Sequence, residues 1–345
     1  MWRKSQIHWR FARKMELKYQ ELDKAIAERI DAMFPKKNCF INVSPGNVIL
    51  PRQFMNIGES IRNLKTYTDD VWLVSYPRTG STWAQEMVWL LGNHLNYEQA
   101  KQMQQLRAPL IELSALYSED HYEWVSNSLG DTVDVVRKMR RPRFARSHLP
   151  WHLLPVDLEN SKAKIVYTAR NPKDLCVSFY YYCKLMHGLQ GTFEDFLELF
   201  LNESAPIGSY WKHVLPFWKR STEPNVLFLK YEDMKRDLPS IVRKCAKFLQ
   251  IDYQISETDL RRICDHLKFD KMQKNPAVNL EPLLSQTDIN GNGVQMTNNA
   301  YADIQFIRKG EIGDWKNYIT TEMSQRFDKW IDQNTRGSGL SFDYE

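Results

Sequence analysis

The chain has no apolar run approaching the roughly 18 residues that cross a bilayer. It also has no leading apolar stretch of the kind that directs secretion. Cysteine patterns are missing too: Cys39, Cys176, Cys183, Cys245 and Cys264 are odd in number, scattered, and contain no C-x-x-C pair. That argues against a disulfide framework and against a zinc site, so no metal is expected and a reducing, cytoplasmic setting is. Asn42 and Asn202 begin glycosylation sequons, which in such a chain read as chance matches. Excess charge is absent from the body. Five of the 47 basic residues (Arg3, Lys4, Arg10, Arg13 and Lys14) lie in the first 14 positions without an acidic neighbour, leaving 42 basic against 42 acidic. A neutral body gives no general reason to bind nucleic acid. The basic arm reads as a solvated tail, with a membrane-surface contact or a targeting segment as alternatives.

What is present is an ordinary globular balance, 43% hydrophobic and 26% charged in 345 residues, with no internal repeat and no low-complexity linker. We expect a basic arm over 1–30 and one domain over 31–345. Three short runs rich in β-branched and aromatic residues, 71–75, 164–168 and 226–230, fit buried parallel strands. Between and after them apolar residues recur at i, i+4, i+7, i+8: Trp83, Met87, Leu90, Leu91; then Ile241, Cys245, Phe248, Leu249; then Met323, Phe327, Trp330, Ile331. Strands alternating with helices predict an α/β fold, helices on both faces of the sheet. Residues 114–143 and the Asn/Gly-rich 284–303 break this rhythm.

Ligands of such sheets bind beyond the carboxyl ends of the strands. "SYPRTGSTW", 75–83, falls there. Gly80 permits close backbone approach, and Ser81 and Thr82 bring hydroxyls and unpaired N–H groups to a helix start, where an anion is favoured. Thr82 and Gln85 have capping-box spacing. The turn lacks the Lys-Ser/Thr ending of a Walker motif, which speaks against magnesium-ATP. A plain strand-to-helix turn explains this stretch alone equally well. Arg170, at the tip of the next strand, precedes an Asn171 N-cap and Pro172, with Ser178 two turns on. An arginine there is either a surface ion pair or a phosphate clamp. "ARSHLP" offers His148 with Arg146 two residues before it, and Arg308, Lys309 and Gly310 make a compact cationic turn.

Taken together, "YPRTGSTW", "RSHLP", "RNPKDLCVSFYYY", "LFLKYEDM", "NPAVN" and "RKGEIGDWKNY" strongly resemble the cytosolic sulfotransferase family over residues 34–330. The resemblance implies a parallel five-stranded sheet with a P-loop-like turn for phosphosulfate. It implies sulfuryl transfer from 3′-phosphoadenosine 5′-phosphosulfate (PAPS), with PAP as product, to the hydroxyl of a small apolar alcohol or phenol, as in xenobiotic or hormone metabolism. By that likeness Arg78, Thr79, Gly80, Ser81, Thr82 and Trp83 hold the phosphosulfate and adenine. Arg170, Ser178, Arg308, Lys309 and Gly310 hold the 3′-phosphate, and Leu267 and Phe269 lie at the base. His148 is the general base, assisted by Arg78, Arg146 and Ser178.

Departures are visible. Arg78 and Arg146 stand where the family usually has lysines, and a guanidinium is not a lysine. Arg78 gives a likeness to the retinol dehydratase branch. Ile207 replaces a tyrosine, and Leu267 and Lys268 replace a hydroxylated pair. The family dimer motif is degenerate at Lys316, Thr320, Thr321 and Gln325, which leaves a homodimer open. Dehydration of an allylic alcohol, or PAP binding without catalysis, are the alternatives.

Overall fold

The computed structural model describes residues 16–116, 130–279 and 305–345. The segments 1–15, half of the expected arm, 117–129, part of the 114–143 stretch, and 280–304, with the Asn/Gly-rich stretch, lie outside the described residues. Four parallel strands form the central sheet: β4 (Val71–Ser75), β5 (Phe144–Ser147), β6 (Lys164–Ala169) and β7 (Val226–Lys230), in the order β5-β4-β6-β7. Three of the four are the runs expected from composition. The five-stranded expectation is met by four strands plus one bridge, Leu110↔Arg146, at the free edge of β5. Arg146 N–H donates to the Pro109 carbonyl and Ile111 N–H to the Arg146 carbonyl. Pro109 itself has no N–H to give, so pairing at this edge stops at one bridge.

Side chains alternate across the sheet with the period of two that a strand imposes. Trp72, Val74, Ile165 and Tyr167 enter one core, while Val71, Leu73, Val166 and Leu227 enter the other. Helices Ser81–Gly92, Leu238–Leu249 and Glu257–His266 cover the second face. Helices Pro172–His187, Phe193–Leu201, Tyr210–Lys219 and Thr321–Thr335 cover the first. Each of the three helical repeats read from the sequence lies within one of these helices.

Residues 16–30, expected to belong to the arm, join the body. β1 (Lys18–Gln20) pairs with β2 (Phe40–Ser44), which pairs with β3 (Val48–Pro51), all antiparallel. Leu17 and Ile30 are buried in the first core beside this small sheet. The arm was assigned by its charge, but burial of these apolar side chains draws the chain in from about residue 16.

Candidate functional site

The parallel register brings the site together. β4 ends at Ser75, which lies opposite Thr168 of β6, and Val74 lies opposite Ser147 of β5. One residue beyond these pairs come Tyr76, His148 and Ala169, followed by the turn 77–80 and by Arg170. These residues are far apart in the chain and adjacent at one edge of the sheet.

The turn carries two positive φ angles, 71° at Arg78 and 84° at Gly80. A Cβ on Gly80 would stand 2.7 Å from Tyr231 Cδ2, so the glycine is required by φ and by space. Arg78, a non-glycine residue in that left-handed region, is held there by its side chain. Its Nε donates to Ser178 Oγ at 3.1 Å and its Nη2 to the Phe306 carbonyl at 2.7 Å. Gly80 is the N-cap of the following helix, with no side-chain cap. The capping box expected from Thr82 and Gln85 does not form: the helix begins at Ser81, so Thr82 lies inside its first turn, and Gln85 Nε2 donates to the Ala108 carbonyl. Asn171 does cap its helix, accepting from Asp174 N–H at 2.8 Å, with Pro172 in the first turn.

A cavity of about 320 Å³ opens at this edge. Arg78, Gly80, Ser81, Thr82, Trp83, Arg146, His148, Arg170, Ser178, Leu267, Phe269, Arg308, Lys309 and Gly310 all line it. Of the expected residues only Thr79 is missing from the lining. Its side chain is fully buried, its hydroxyl donating to the Tyr76 carbonyl at 2.9 Å and lying 3.1 Å from the Thr168 hydroxyl. Thr79 therefore ties the turn to the sheet.

The cations are braced from behind. Asp314, itself buried, accepts from Arg308 Nη2 and Lys309 Nζ, each at 2.7 Å. Arg170 Nη2 donates to the Glu311 carbonyl at 2.6 Å, and its guanidinium lies 4.4 Å from the Tyr231 ring centre. Burial, with Arg170 and Arg308 nearby, brings Arg78 down to about 10, so it remains charged at neutral pH. The buried Nε atoms of Arg170 and Arg308 have no hydrogen-bond partner among the described residues. Orphaned buried donors on several converging cations are what a multiply charged anion would satisfy. Gly310, at φ 68°, lies so close to Phe269 that a Cβ would meet the ring at 2.4 Å. Trp83 meets Tyr231 edge-on at 5.8 Å. Aromatic walls and cations together fit a nucleotide bearing phosphate groups.

His148 stands between this cavity and a second, small slot lined by Pro51, Pro77, Leu116, Phe179, Pro206 and Ile207, together with Tyr182 and His187. Its Nδ1 is 2.9 Å from the Ser75 carbonyl oxygen. A carbonyl only accepts, so Nδ1 carries the proton and Nε2 keeps its lone pair. Burial, then the Arg146 charge, pushes His148 down to about 3, and the ring is neutral at physiological pH. Ile207, which replaces a tyrosine of the family, falls on the slot and is absent from the cavity lining. Phe34 packs on Phe40 and His187, the latter a residue of the slot. Tyr231 and Glu112 went unnoticed in the sequence. Tyr231 was readable as the first residue after a strand, but nothing marked Glu112.

No cluster of metal-ligating side chains occurs among the described residues, and no helix among them is long and apolar enough to cross a membrane. A family profile for the sulfotransferase domain matches residues 68–339. The chain is 33% identical to luciferin sulfotransferase of Photinus pyralis over 321 residues, covering 90% of this chain and 83% of that one. It is 32% identical to sulfotransferase 1E1 of Homo sapiens, covering 86% and 93%. The fold superposes on a crystal structure of retinol dehydratase in complex with retinol and PAP at a TM-score of 0.83 and 29% identity, covering 95% of this chain and 99% of that chain. With cationic turn, clamp and histidine all at one sheet edge, and with these relatives matched along most of its length, the chain belongs to the sulfotransferase family.

Proposed function

We propose that the protein transfers the sulfuryl group of PAPS to the hydroxyl of a small apolar alcohol or phenol. The observation that carries this reading is the place of His148, whose ring borders both the cationic cavity and the apolar slot. The cavity takes the nucleotide. Arg78 and Gly80, Ser81, Thr82 and Trp83, with Trp83 and Phe269 as aromatic walls, face its phosphosulfate and base, and Arg170, Ser178, Arg308, Lys309 and Gly310 face its 3′-phosphate. The acceptor approaches His148 from the side of the slot, whose apolar residues flank it.

In the transfer step His148 Nε2 receives the proton of the acceptor hydroxyl as its oxygen bonds to sulfur. The bond from sulfur to the bridging oxygen breaks, and its electron pair stays on the departing phosphate. Arg78 and Arg146 lie in the cavity wall to offset that growing negative charge. Ser178 orients Arg78 by accepting from its Nε. Both cations are guanidiniums, permanently charged and poor proton donors, so they stabilise charge without protonating the leaving group.

A second reading, dehydration of an allylic alcohol by way of a transient sulfate ester, is favoured by Arg78 and by the likeness to retinol dehydratase. Turnover with PAPS against phenols, sterols, aliphatic alcohols and retinol, followed by mass spectrometry, separates the two. A stable ester with an added sulfuryl group, lost in His148→Ala, supports transfer. Loss of water supports dehydration. No product despite tight PAP binding overturns both and leaves a non-catalytic binder. Lys316 pairs with Glu345 of its own C-terminus and Thr320 caps its own helix, so we propose that any homodimer does not use that degenerate motif. We place the protein in the cytoplasm, on its unpaired cysteines and its cytosolic-type relatives.

A further inference from the structure

His148 lies one residue beyond the last ladder pair of β5, where no neighbouring strand takes up its backbone groups. Side chains do so instead. Its N–H donates to Glu112 Oε1 at 2.5 Å, and the Ser147 hydroxyl donates to Glu112 Oε2 at 2.9 Å. Its carbonyl oxygen accepts from His213 Nε2 at 3.0 Å. Since that carbonyl can only accept, His213 Nε2 carries the proton, and His213 Nδ1 accepts from the Tyr167 hydroxyl at 2.8 Å. The ring is fixed separately, by Nδ1 on the Ser75 carbonyl.

Glu112 and His213 are each about 1% exposed, and neither lines the cavity or the slot. A buried carboxyl is costly unless its oxygens are engaged, and both oxygens of Glu112 are spent on two consecutive residues, Ser147 and His148. The Glu112 segment reaches them because of the shortened sheet edge: Leu110, two residues earlier, makes the single bridge to Arg146. A full fifth strand would send alternate side chains to opposite faces and continue past this point. The interrupted one turns Glu112 under the strand end.

We propose that Glu112 and His213 are positioning residues for the transfer step, gripping the peptide groups on either side of His148 so that Nε2 meets the acceptor hydroxyl in line. This inference rests on the reading of His148 as general base. Glu112 faces Ser147, His148 and Arg146, and His213 faces His148, Tyr167 and His152.

The test compares kcat, the acceptor KM and PAP affinity by calorimetry across Glu112→Ala, Glu112→Asp, Glu112→Gln and His148→Ala. Misplacing a reacting group by an ångström costs on the order of 100-fold, so Glu112→Ala is expected to lower kcat by about that factor with PAP affinity unchanged. Glu112→Asp keeps the carboxyl group and guards against misfolding; one methylene shorter, it cannot span both partners, and kcat falls about tenfold. Glu112→Gln keeps an acceptor for the His148 N–H, and its amide can donate to the Ser147 oxygen, so it recovers most of the loss. The inference is overturned if Glu112→Asp retains wild-type kcat, if PAP affinity falls in step with kcat, or if Glu112→Gln is as slow as Glu112→Ala. Full activity in His148→Ala overturns the general-base reading itself, and no result at Glu112 produces that outcome.

Discussion

The two walls that meet at His148 are built differently. The wall proposed for the nucleotide draws on a strand-end turn, a strand tip and the 308–310 turn, its cations each braced by a further partner: Asp314 behind Arg308 and Lys309, Ser178 behind Arg78, the Glu311 carbonyl behind Arg170. The wall proposed for the acceptor is assembled from Pro51, Leu116, Pro206 and Ile207, apolar residues of three separate segments. Phosphate groups demand fixed donors at fixed places, whereas an apolar slot demands only shape. The first wall suits one ligand shared across a family and the second suits divergence in acceptor.

If the walls are separable, mutations should split nucleotide affinity from turnover. The largest effect is expected at the boundary: His148→Ala lowers kcat on the order of 10²–10⁴-fold, with PAP affinity intact by calorimetry. Parallel loss of PAP binding would show that the walls are not independent. Next, Arg170→Ala removes a buried cation from the nucleotide wall; at about 2 kcal/mol or more, the Kd for PAP rises at least roughly 30-fold. A normal Kd would remove Arg170 from the clamp.

Stability against pH gives a smaller effect, because buried groups of opposite sign lie around the boundary. Burial pushes His148 and His213 down to about 3 and His187 to about 4, from an ordinary value of 6.5. Below 6.5 the unfolded chain takes up protons that the folded chain refuses, so their contribution, full above 6.5, is lost as pH falls. Burial pushes Glu112 and Glu232 up to about 7 from 4.5. Folded, these two hold protons in that window, so their contribution is full below 4.5 and lost as pH rises through 7. Between 4.5 and 6.5 three uptakes oppose two, and these five groups together give a loss of about 1.4 kcal/mol per pH unit on acidification. Glu112→Gln removes one opposing proton and should steepen that slope, read from urea denaturation at pH 5 and 6; an unchanged slope would mean that Glu112 is ionised in the fold.

The smallest effect on the ligand is expected at Thr79. Thr79→Val loses hydrogen bonds to Tyr76 and Thr168 and costs about 1 kcal/mol of stability, while PAP affinity stays unaltered. A marked drop in affinity would put its hydroxyl back on the ligand.

Much of the nucleotide wall was legible because short-range chemistry writes it. Gly80 and Arg170 with its Asn171–Pro172 helix start follow from local rules at a strand's end, and the 308–310 turn from its run of cations before a glycine. A hydroxyl in a phosphate turn reads as a ligand contact at Thr79, whereas its side chain turns to Tyr76 and Thr168 in the sheet beneath. The capping box at Thr82 does not form because the helix starts earlier, with Gly80 as its N-cap, and Gln85 turns to Ala108. Glu112 left no local trace: its partners, Ser147 and His148, are 35 and 36 residues away.

By itself, then, the sequence determined the parallel strands, their alternation with helices and the cationic turns, since periodicity and turn chemistry act over a few residues. Tertiary structure alone decided that residue 17 belongs to the core, that the fifth strand shrinks to one bridge, and that His148 is gripped by Glu112 and His213. Those outcomes depend on which buried groups meet across the sheet, and burial is settled only when the whole chain has packed.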